Sequence, residues 1–309
     1  MEIIFILLIA LTLDLALGEP PNTWHPIAWL GKLISLEMKL APDTGKVRQV
    51  VYGSSMVLLT LGLIVLPIYF LLAFLKEINP VIYIAIAGLL LKYSFSLRGL
   101  GQAVNTVKRF IARNNLTAAR TSLKALVSRD TGNLSQSQVI SATVESAAEN
   151  SSDSFVAPLF YFLIFGVIGA IAYRIANTFD AMVGYHGKFE YLGKFAARLD
   201  DILNFLPARI TGMMMVLAAL MCKKNMPQAW HTMLRDHKRT ESPNAGWTMS
   251  SIAGALGVQL EKVGHYKLGD SHNPLSLDTI NASQQMIIAV AIIWGLVFIL
   301  DKVIYLVTT

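Results

Sequence analysis

Three stretches of the chain gather residue types that do chemistry together. The first is Thr143-Val-Glu-Ser-Ala-Ala-Glu-Asn-Ser-Ser-Asp-Ser154. Glu145 and Glu149 stand four apart and share a helix face, and Asp153 continues the row if the helix persists. Acids in such a row repel one another unless a cation or a basic partner sits among them. The stretch runs straight into apolar Phe155–Ala172, which raises that cost. Hard oxygen ligands of this kind suit Mg²⁺. The plainer reading is a solvated face at a membrane boundary, or pairing with Arg129 and Arg98. The second stretch places Arg174, Asn177 and Asp180 at i, i+3 and i+6, again roughly one face. The third is Ala197-Arg-Leu-Asp-Asp-Ile-Leu-Asn204, followed by Pro207-Ala-Arg209. Arg198 and Asp201 are spaced as a simple ion pair, and Asp200 and Asp201 point to different faces of a helix. Arg209, inside an apolar run, needs an anionic partner or a route for its head to reach water.

The elements that must carry these groups are membrane helices. Hydrophobic residues make up 54% of the chain and charged residues only 15%, against about 25% charged in soluble domains. Ser55–Leu75, Phe155–Ala172 and Gln285–Leu300 contain no charge, and a bilayer core needs about 20 apolar residues in helical form. Ile3–Leu17, Val81–Leu97 and Ile202–Cys222 are weaker spans holding Asp14, Lys92 and Arg209. Residues 1–17 lack the basic start of a secretory signal, so a retained membrane segment is expected. Alternating period-2 hydrophobicity, which a closed barrel requires, is absent. The expectation is an all-α, polytopic helical membrane protein with about 4–6 membrane segments. It forms a single integral membrane domain over 1–309, with polar functional segments at 98–154, 173–204 and 223–284.

If all six segments cross, Lys and Arg concentrate in the first, third and fifth connecting pieces, which the positive-inside rule makes cytoplasmic. That count strands 173–204 on the opposite side from 98–154. Within 98–154, Leu97, Leu100, Val104, Val107 and Ile111 recur at helical spacing. A second helix is expected over Ala118–Val127, and a third opening near Ser135–Ser137 with a serine cap. Segment 223–284, rich in Gly, Pro, Asn and Ser, reads as looser, with Ser242-Pro-Asn-Ala-Gly-Trp247 and Gly264-His-Tyr-Lys-Leu-Gly269 as turns or binding loops. One cysteine excludes an intrachain disulfide framework. The net charge of +6 speaks to orientation and lipid headgroups. No basic run interleaved with aromatics points to nucleic acid. Phosphate-loop, zinc-helix and serine-elbow patterns are missing.

Seven motifs in order carry a family resemblance. They are Trp24-His-Pro-Ile-Ala-Trp-Leu-Gly31, Val127-Ser-Arg-Asp-Thr131, Ala142-Thr-Val-Glu-Ser-Ala-Ala-Glu-Asn150, Val156-Ala-Pro-Leu-Phe-Tyr161, Asn177-Thr-Phe-Asp-Ala-Met-Val-Gly-Tyr185, Ala197-Arg-Leu-Asp-Asp-Ile-Leu-Asn204 and Ser242-Pro-Asn-Ala-Gly-Trp247. Together they resemble the CobD/CbiB family. The departures are small: Glu19 stands where the family has Asp in a Gly-Asp-Pro turn, and Ser154-Phe155 replaces a Gly-Val pair.

The resemblance implies adenosylcobinamide-phosphate synthase activity in a multi-pass protein of the prokaryotic cell membrane. Such an acid–amine ligase joins adenosylcobyric acid to (R)-1-aminopropan-2-ol or its O-phosphate, with ATP and Mg²⁺. The implied partners beyond substrates are the lipid bilayer and other late cobalamin enzymes in a complex. On that basis Glu145, Glu149, Asp180 and Asp201 are the candidate catalytic acids, and Glu149, Asp153 and Asp180 the candidate Mg²⁺ ligands. Arg129, Asn150, Asn177, Arg198, Arg209 and Asn244 are the candidates for phosphate and substrate. ATP is cytosolic, so 98–154, 173–204 and 223–270 should share a compartment; either 155–172 with 173–204 forms a hairpin or re-entrant element, or one of the weaker segments does not cross. The rival readings are a non-enzymatic membrane regulator resembling the AmpE proteins and a corrinoid transporter.

Overall fold

The computed structural model describes residues 2–308 except 186 and 188, with side chains through residue 300. The chain is helical nearly throughout. In order it forms α1 (Glu2–Leu17), α2 (Pro26–Lys39), α3 (Lys46–Ile78), α4 (Pro80–Lys92), α5 (Leu97–Ala112), α6 (Leu116–Leu123) and α7 (Gln136–Ser151). A π-helical turn (Ser152–Val156) then leads into α8 (Ala157–Val183), α9 (Lys194–Leu203), α10 (Phe205–Met221), α11 (Met226–Asp236) and α12 (Ala245–Leu256). The antiparallel hairpin β1 (Leu260–Lys262) and β2 (Tyr266–Leu268) precedes α13 (Leu277–Thr308).

Among the described residues, Lys46–Ile78, Pro80–Ala112, Gln136–Val183 and Leu277–Leu300 are long and apolar enough to cross a membrane. The consecutive helices α9 and α10 pass the same test only when taken together, as a broken span or a re-entrant loop. This all-α, polytopic architecture is the one the apolar segments predict. At about 1.5 Å per residue α3 reaches some 50 Å, beyond the ~30 Å hydrocarbon core. Its outward side chains include Leu59, Leu63, Leu66, Phe70 and Phe74, all well exposed. A continuous apolar face of this kind needs lipid around it. The 16-residue α1 is shorter than a span and packs on α4.

The chain falls into two compact units, Met1–Arg98 with Ala157–Leu203, and Gly99–Val156 with Asn204–Thr309. In the first, α3, α8 and α9 pack on one another around Ile34, Met56, Val57, Phe179 and Val183. In the second, α7, α10, α12 and α13 pack around Val144, Ala148, Met215, Ile252 and Met286. Here α5 buries Leu100, Val104, Val107 and Ile111, the face its spacing predicts. Ser135 caps α7 in a reciprocal capping box with Gln138. Two expectations change. The helix expected to reach Val127 ends at Leu123. Segment 223–284 is more ordered than its composition suggested, because Asn225 caps α11 and Pro227 sits in its first turn.

The first unit holds a buried charge cluster. Lys92 Nζ lies 3.1 Å from the Asp14 carboxylate and 2.8 Å from Glu19, with Asp14 wholly buried. The second oxygen of Asp14 accepts from the Leu97 and Arg98 N–H groups and so caps α5. Arg98 donates to the Leu15 and Ala16 carbonyls at the end of α1. His25 Nδ1 accepts from Ile27 N–H, which leaves Nε2 to donate to Glu19 at 2.7 Å. Burial resists the ionisation of Glu19, but the bonds from His25 and Lys92 outweigh it and hold its pKa at about 2. The lone charges of two weak spans therefore neutralise each other. Arg98 closes α1, a different task from the pairing with the acidic row that its sequence position allowed.

Gly166 breaks α8. Its φ of 66° and ψ of −160° are not helical, and that region of backbone space is open essentially to glycine alone. In an unbroken helix Tyr161 and Tyr173 would lie about 18 Å apart. Their rings instead stack with centroids 5.3 Å apart, and Gly169 approaches the Tyr161 carbonyl. The apolar run 155–172 therefore folds back on itself at Gly166 instead of continuing as one straight helix.

Two outcomes follow. With Cys222 replaced by Ala, single cysteines at exposed positions 115 and 190 should react with a membrane-impermeant maleimide from the same face of sealed vesicles. Labelling from opposite faces would show that the hairpin crosses. Replacing Lys92 by Met should destabilise the detergent-purified protein by roughly 3–5 kcal/mol, since Asp14 would stay buried and charged. Adding Asp14→Asn should restore much of that loss in a thermal melt, and an equally unstable double variant would remove the ion-pair account.

Candidate functional site

In the second unit α7 presents Glu145 almost fully buried. Ser141 Oγ donates to one carboxylate oxygen at 2.6 Å and the Tyr266 hydroxyl to the other at 3.0 Å, with Arg129 Nη2 at 3.5 Å from the latter. Ser141 in turn accepts from the Glu261 N–H at 2.7 Å. The β-hairpin is therefore fastened to α7 through side chains. Its far end is held by Asp236, fully buried, which accepts from the Gly269 N–H and pairs with Arg235. Burial opposes the charge on Asp236, but Arg235 and that N–H keep its carboxyl below the usual range. Burial and the negative charge of Glu145 push the Tyr266 hydroxyl far up, so it stays protonated and donates.

The row of acids does not run on unbroken. The π-turn at Ser152–Val156 widens the helix one turn ahead of Pro158, whose ring would otherwise press on the carbonyl four residues back. Asp153 lies in that turn, off the strict i, i+4 register of Glu145 and Glu149. Asn150 bonds along its own helix, donating to Ser146 and accepting from Ser154. On α10, Arg209 donates to the Phe205 carbonyl and to Asn244 Oδ1 at 3.3 Å. Its guanidinium also lies 3.6 Å from the centroid of the Phe205 ring and 4.9 Å from that of Trp247. Among the described residues no carboxylate pairs with Arg209: carbonyl, carboxamide and two π faces take the place of the anionic partner expected for it. The Ser242 loop contributes by bonding the Asn244 N–H at the start of α12.

In the first unit Asn177 donates to Asp200 Oδ1 at 3.1 Å and accepts from Arg174 at 3.5 Å. Asp201 pairs with Arg198 at 3.8 Å near the surface, as their spacing predicts. Of the two neighbouring acids, Asp200 joins the Asn177 group and is the more buried. The Asp180 carboxylate lies over Gly184, in the space a Cβ there would fill, and its carbonyl accepts from the Gly184 N–H. That Asp200 and Asp201 point to different faces of a helix is legible from sequence; which of the two is buried is not.

Reasoning from sequence missed Tyr266, Ser141 and Asp200 as partners. The only signal for Tyr266 was its place in a glycine-bounded loop. Among the described residues, no three His, Cys, Asp or Glu side chains stand together where they could hold a metal ion. The set Glu149, Asp153 and Asp180 is thus not a formed three-carboxylate centre.

These features define a helical membrane protein whose two units each gather buried acids with amide and partly buried guanidinium groups beside apolar helices. A family model described as CobD/Cbib protein matches residues 7–293. The chain belongs to this family, whose members act in cobalamin biosynthesis. It is 50% identical over 297 residues to cobalamin biosynthesis protein CobD of Dehalococcoides mccartyi (strain CBDB1), covering 96% of each chain. It is 40% identical over 268 residues to the probable CobD of Methanococcus maripaludis (strain C7), covering 85% of this chain and 88% of that one. A probable CobD of Methanothermobacter thermautotrophicus is 41% identical over 271 residues, with coverage of 87% and 88%. No solved structure matches.

The Glu145–Tyr266 bond yields a stability test. Tyr266→Phe should cost about 1–2 kcal/mol and Glu145→Gln a similar amount. The double variant should fall short of their sum by more than about 0.5 kcal/mol. Additive losses in chemical or thermal unfolding would mean that the two side chains do not interact.

Proposed function

We propose that the chain is an amide-forming ligase that joins the free propionate of adenosylcobyric acid to (R)-1-aminopropan-2-ol or its O-phosphate, using ATP. The observation that carries this reading is the likeness to cobalamin biosynthesis proteins over nearly the whole chain, including every polar motif described above. A carboxylate does not condense with an amine unaided, because its oxide is a poor leaving group. Attack of the carboxylate oxygen on the γ-phosphorus of ATP forms an acyl phosphate and releases ADP. The amine nitrogen then attacks the acyl carbon and phosphate leaves. The ammonium must lose one proton before attack and another as the amide forms.

The chain's own groups have separable tasks in this scheme. Glu149, Asp180 or Asp201 takes the proton from the ammonium. Arg129 and Arg198 face phosphate oxygens with forked donors. Asn177, oriented by Asp200 and Arg174, and Asn244, beside Arg209, meet amide or phosphate groups of the substrates. Glu145, with both oxygens already engaged, positions Arg129 and Tyr266. The described residues do not form a three-carboxylate cage for Mg²⁺. Mg²⁺ enters with the nucleotide, since it commonly binds through phosphates and one or two carboxylates.

Purified protein given adenosylcobyric acid, Mg-ATP and each amine in turn should yield a product heavier by the amine less water in mass spectrometry. Glu149→Gln and Asp180→Asn should each lower the rate at least a hundredfold in folded protein, the scale of general acid–base catalysis. Near-normal amide formation in both variants would remove the carboxylates from the mechanism, and corrinoid binding without ATP consumption would replace the enzyme with a binding protein.

A further inference from the structure

Helix α2 has two apolar faces, and only one is used inside the protein. Leu30 and Ile34 are buried in the core with Phe179 and Val183 of α8. Trp29, Leu36 and Leu40, spaced seven and four residues apart, form a second stripe and are 50%, 55% and 70% exposed. Trp24, in the turn before the helix, is exposed as well. The Trp29 indole N–H donates to the Thr23 carbonyl at 3.0 Å, so its one polar group is satisfied within the chain. Lys32 and Lys39, three residues beyond Trp29 and Leu36, flank the stripe, and both are exposed. The only acid of the helix, Glu37, is turned to the protein instead, where its Oε1 accepts from the Thr60 hydroxyl at 2.9 Å.

This stripe adjoins a surface that already needs lipid. Tyr52 of α3 donates to the Glu37 carbonyl at 2.9 Å, and Gln49 donates to the Pro42 and Asp43 carbonyls. The end of α2 is thus fastened to the opening turns of α3, where Val47 and Val51 are exposed ahead of lipid-facing Leu59 and Leu63. Exposed Lys46 and Arg48 add two cations there, against the exposed acid Asp43. Among the described residues no carboxylate pairs with Lys32, Lys39 or Arg48. The far end of α3 differs: Lys76 pairs with Glu2 at 3.1 Å and Glu77 follows it, so positive charge gathers at one end of the helix only. Exposed Trp and Leu bordered by cations suit the boundary of an anionic bilayer. We propose that this face of α2, with the opening turn of α3, docks into the headgroup layer of a bilayer rich in anionic phospholipid. The apolar stripe meets the upper acyl chains, and Lys32, Lys39, Lys46 and Arg48 meet the lipid phosphates. Each cation near such a surface favours anionic over neutral lipid by about fivefold, whereas a solely apolar contact gives no preference. The assignment is independent of the ligase reading.

The test uses the full chain in nanodiscs, with Cys222→Ala and one new cysteine, Leu36→Cys or Leu40→Cys, carrying a small fluorophore. Leu63→Cys, on the lipid-facing side of α3, gives the reference for lipid contact. The discs hold equal parts of phosphatidylcholine and phosphatidylglycerol, and one or the other lipid carries a nitroxide quencher high on its acyl chain. Both α2 positions should be quenched, about threefold or more efficiently by phosphatidylglycerol. Lys32→Gln combined with Lys39→Gln, both at exposed positions, should leave the thermal melt unchanged and bring the two efficiencies close to equality. Should the pair lower the melt, each single variant carries the same test with a smaller drop. Absence of quenching at 36 and 40, with 63 quenched, would put water or a protein partner on this face and overturn the proposal. Equal quenching by the two lipids before the lysines are changed, or a preference that survives the loss of both, overturns it as well.

Discussion

A charge removed from water must meet a partner, and the described part of this molecule is arranged around that constraint. Asp14, buried to zero exposure, has Lys92 as its counter-ion and two backbone N–H groups as donors. Glu145 is met by a serine, a tyrosine and an arginine. Arg209 is met by a carbonyl, a carboxamide and two aromatic rings. Unpaired charges beside hydrocarbon cost several kcal/mol, so each pairing also fixes which helices can lie together. The Asp14–Lys92 pair joins α1 to α4, and the same carboxylate caps the first turn of α5.

The second constraint is backbone geometry. A helix satisfies its own N–H and C=O groups, which is why apolar runs in lipid are helical. Turning such a run back on itself exposes a few of those groups and demands a conformation that side chains forbid. Gly166 meets that demand, and the stacked Tyr161 and Tyr173 rings close the hairpin. The same economy of distortion is visible at the π-turn ahead of Pro158, where one widened turn accommodates the proline ring without ending the helix. Both distortions lie next to polar motifs that carry the family likeness, as expected where local strain serves function.

Membership of the CobD/CbiB family gives the polar groups their most economical meaning. Protein chemistry alone offers acids, amides and guanidinium groups suited to holding phosphates and removing a proton. The family supplies the pathway, cobalamin biosynthesis. The described geometry sharpens the roles: Glu145 is an organiser, Asp200 orients Asn177, and the β-hairpin brings Tyr266 to Glu145 on α7.

Much of the fold was legible in the sequence because helix formation and membrane burial are local properties. The amphipathic face of α5, the Ser135 cap, the lipid-facing α3 and the apolar α13 all follow from residue spacing and run length. The acidic row, the Arg198–Asp201 pair and the seven motifs were equally visible, since each lies within a few residues. What only the tertiary structure decided is which distant groups meet. Tyr266 and Glu145 stand 121 residues apart, and Asp14 and Lys92 are visible in sequence only as lone charges in separate apolar runs, with nothing to pair them. Composition could not distinguish a straight span from a hairpin over 155–172 either, because both bury the same side chains. The decision lies in one glycine's dihedral angles and in the rings that pack across it, and those depend on the folded chain as a whole.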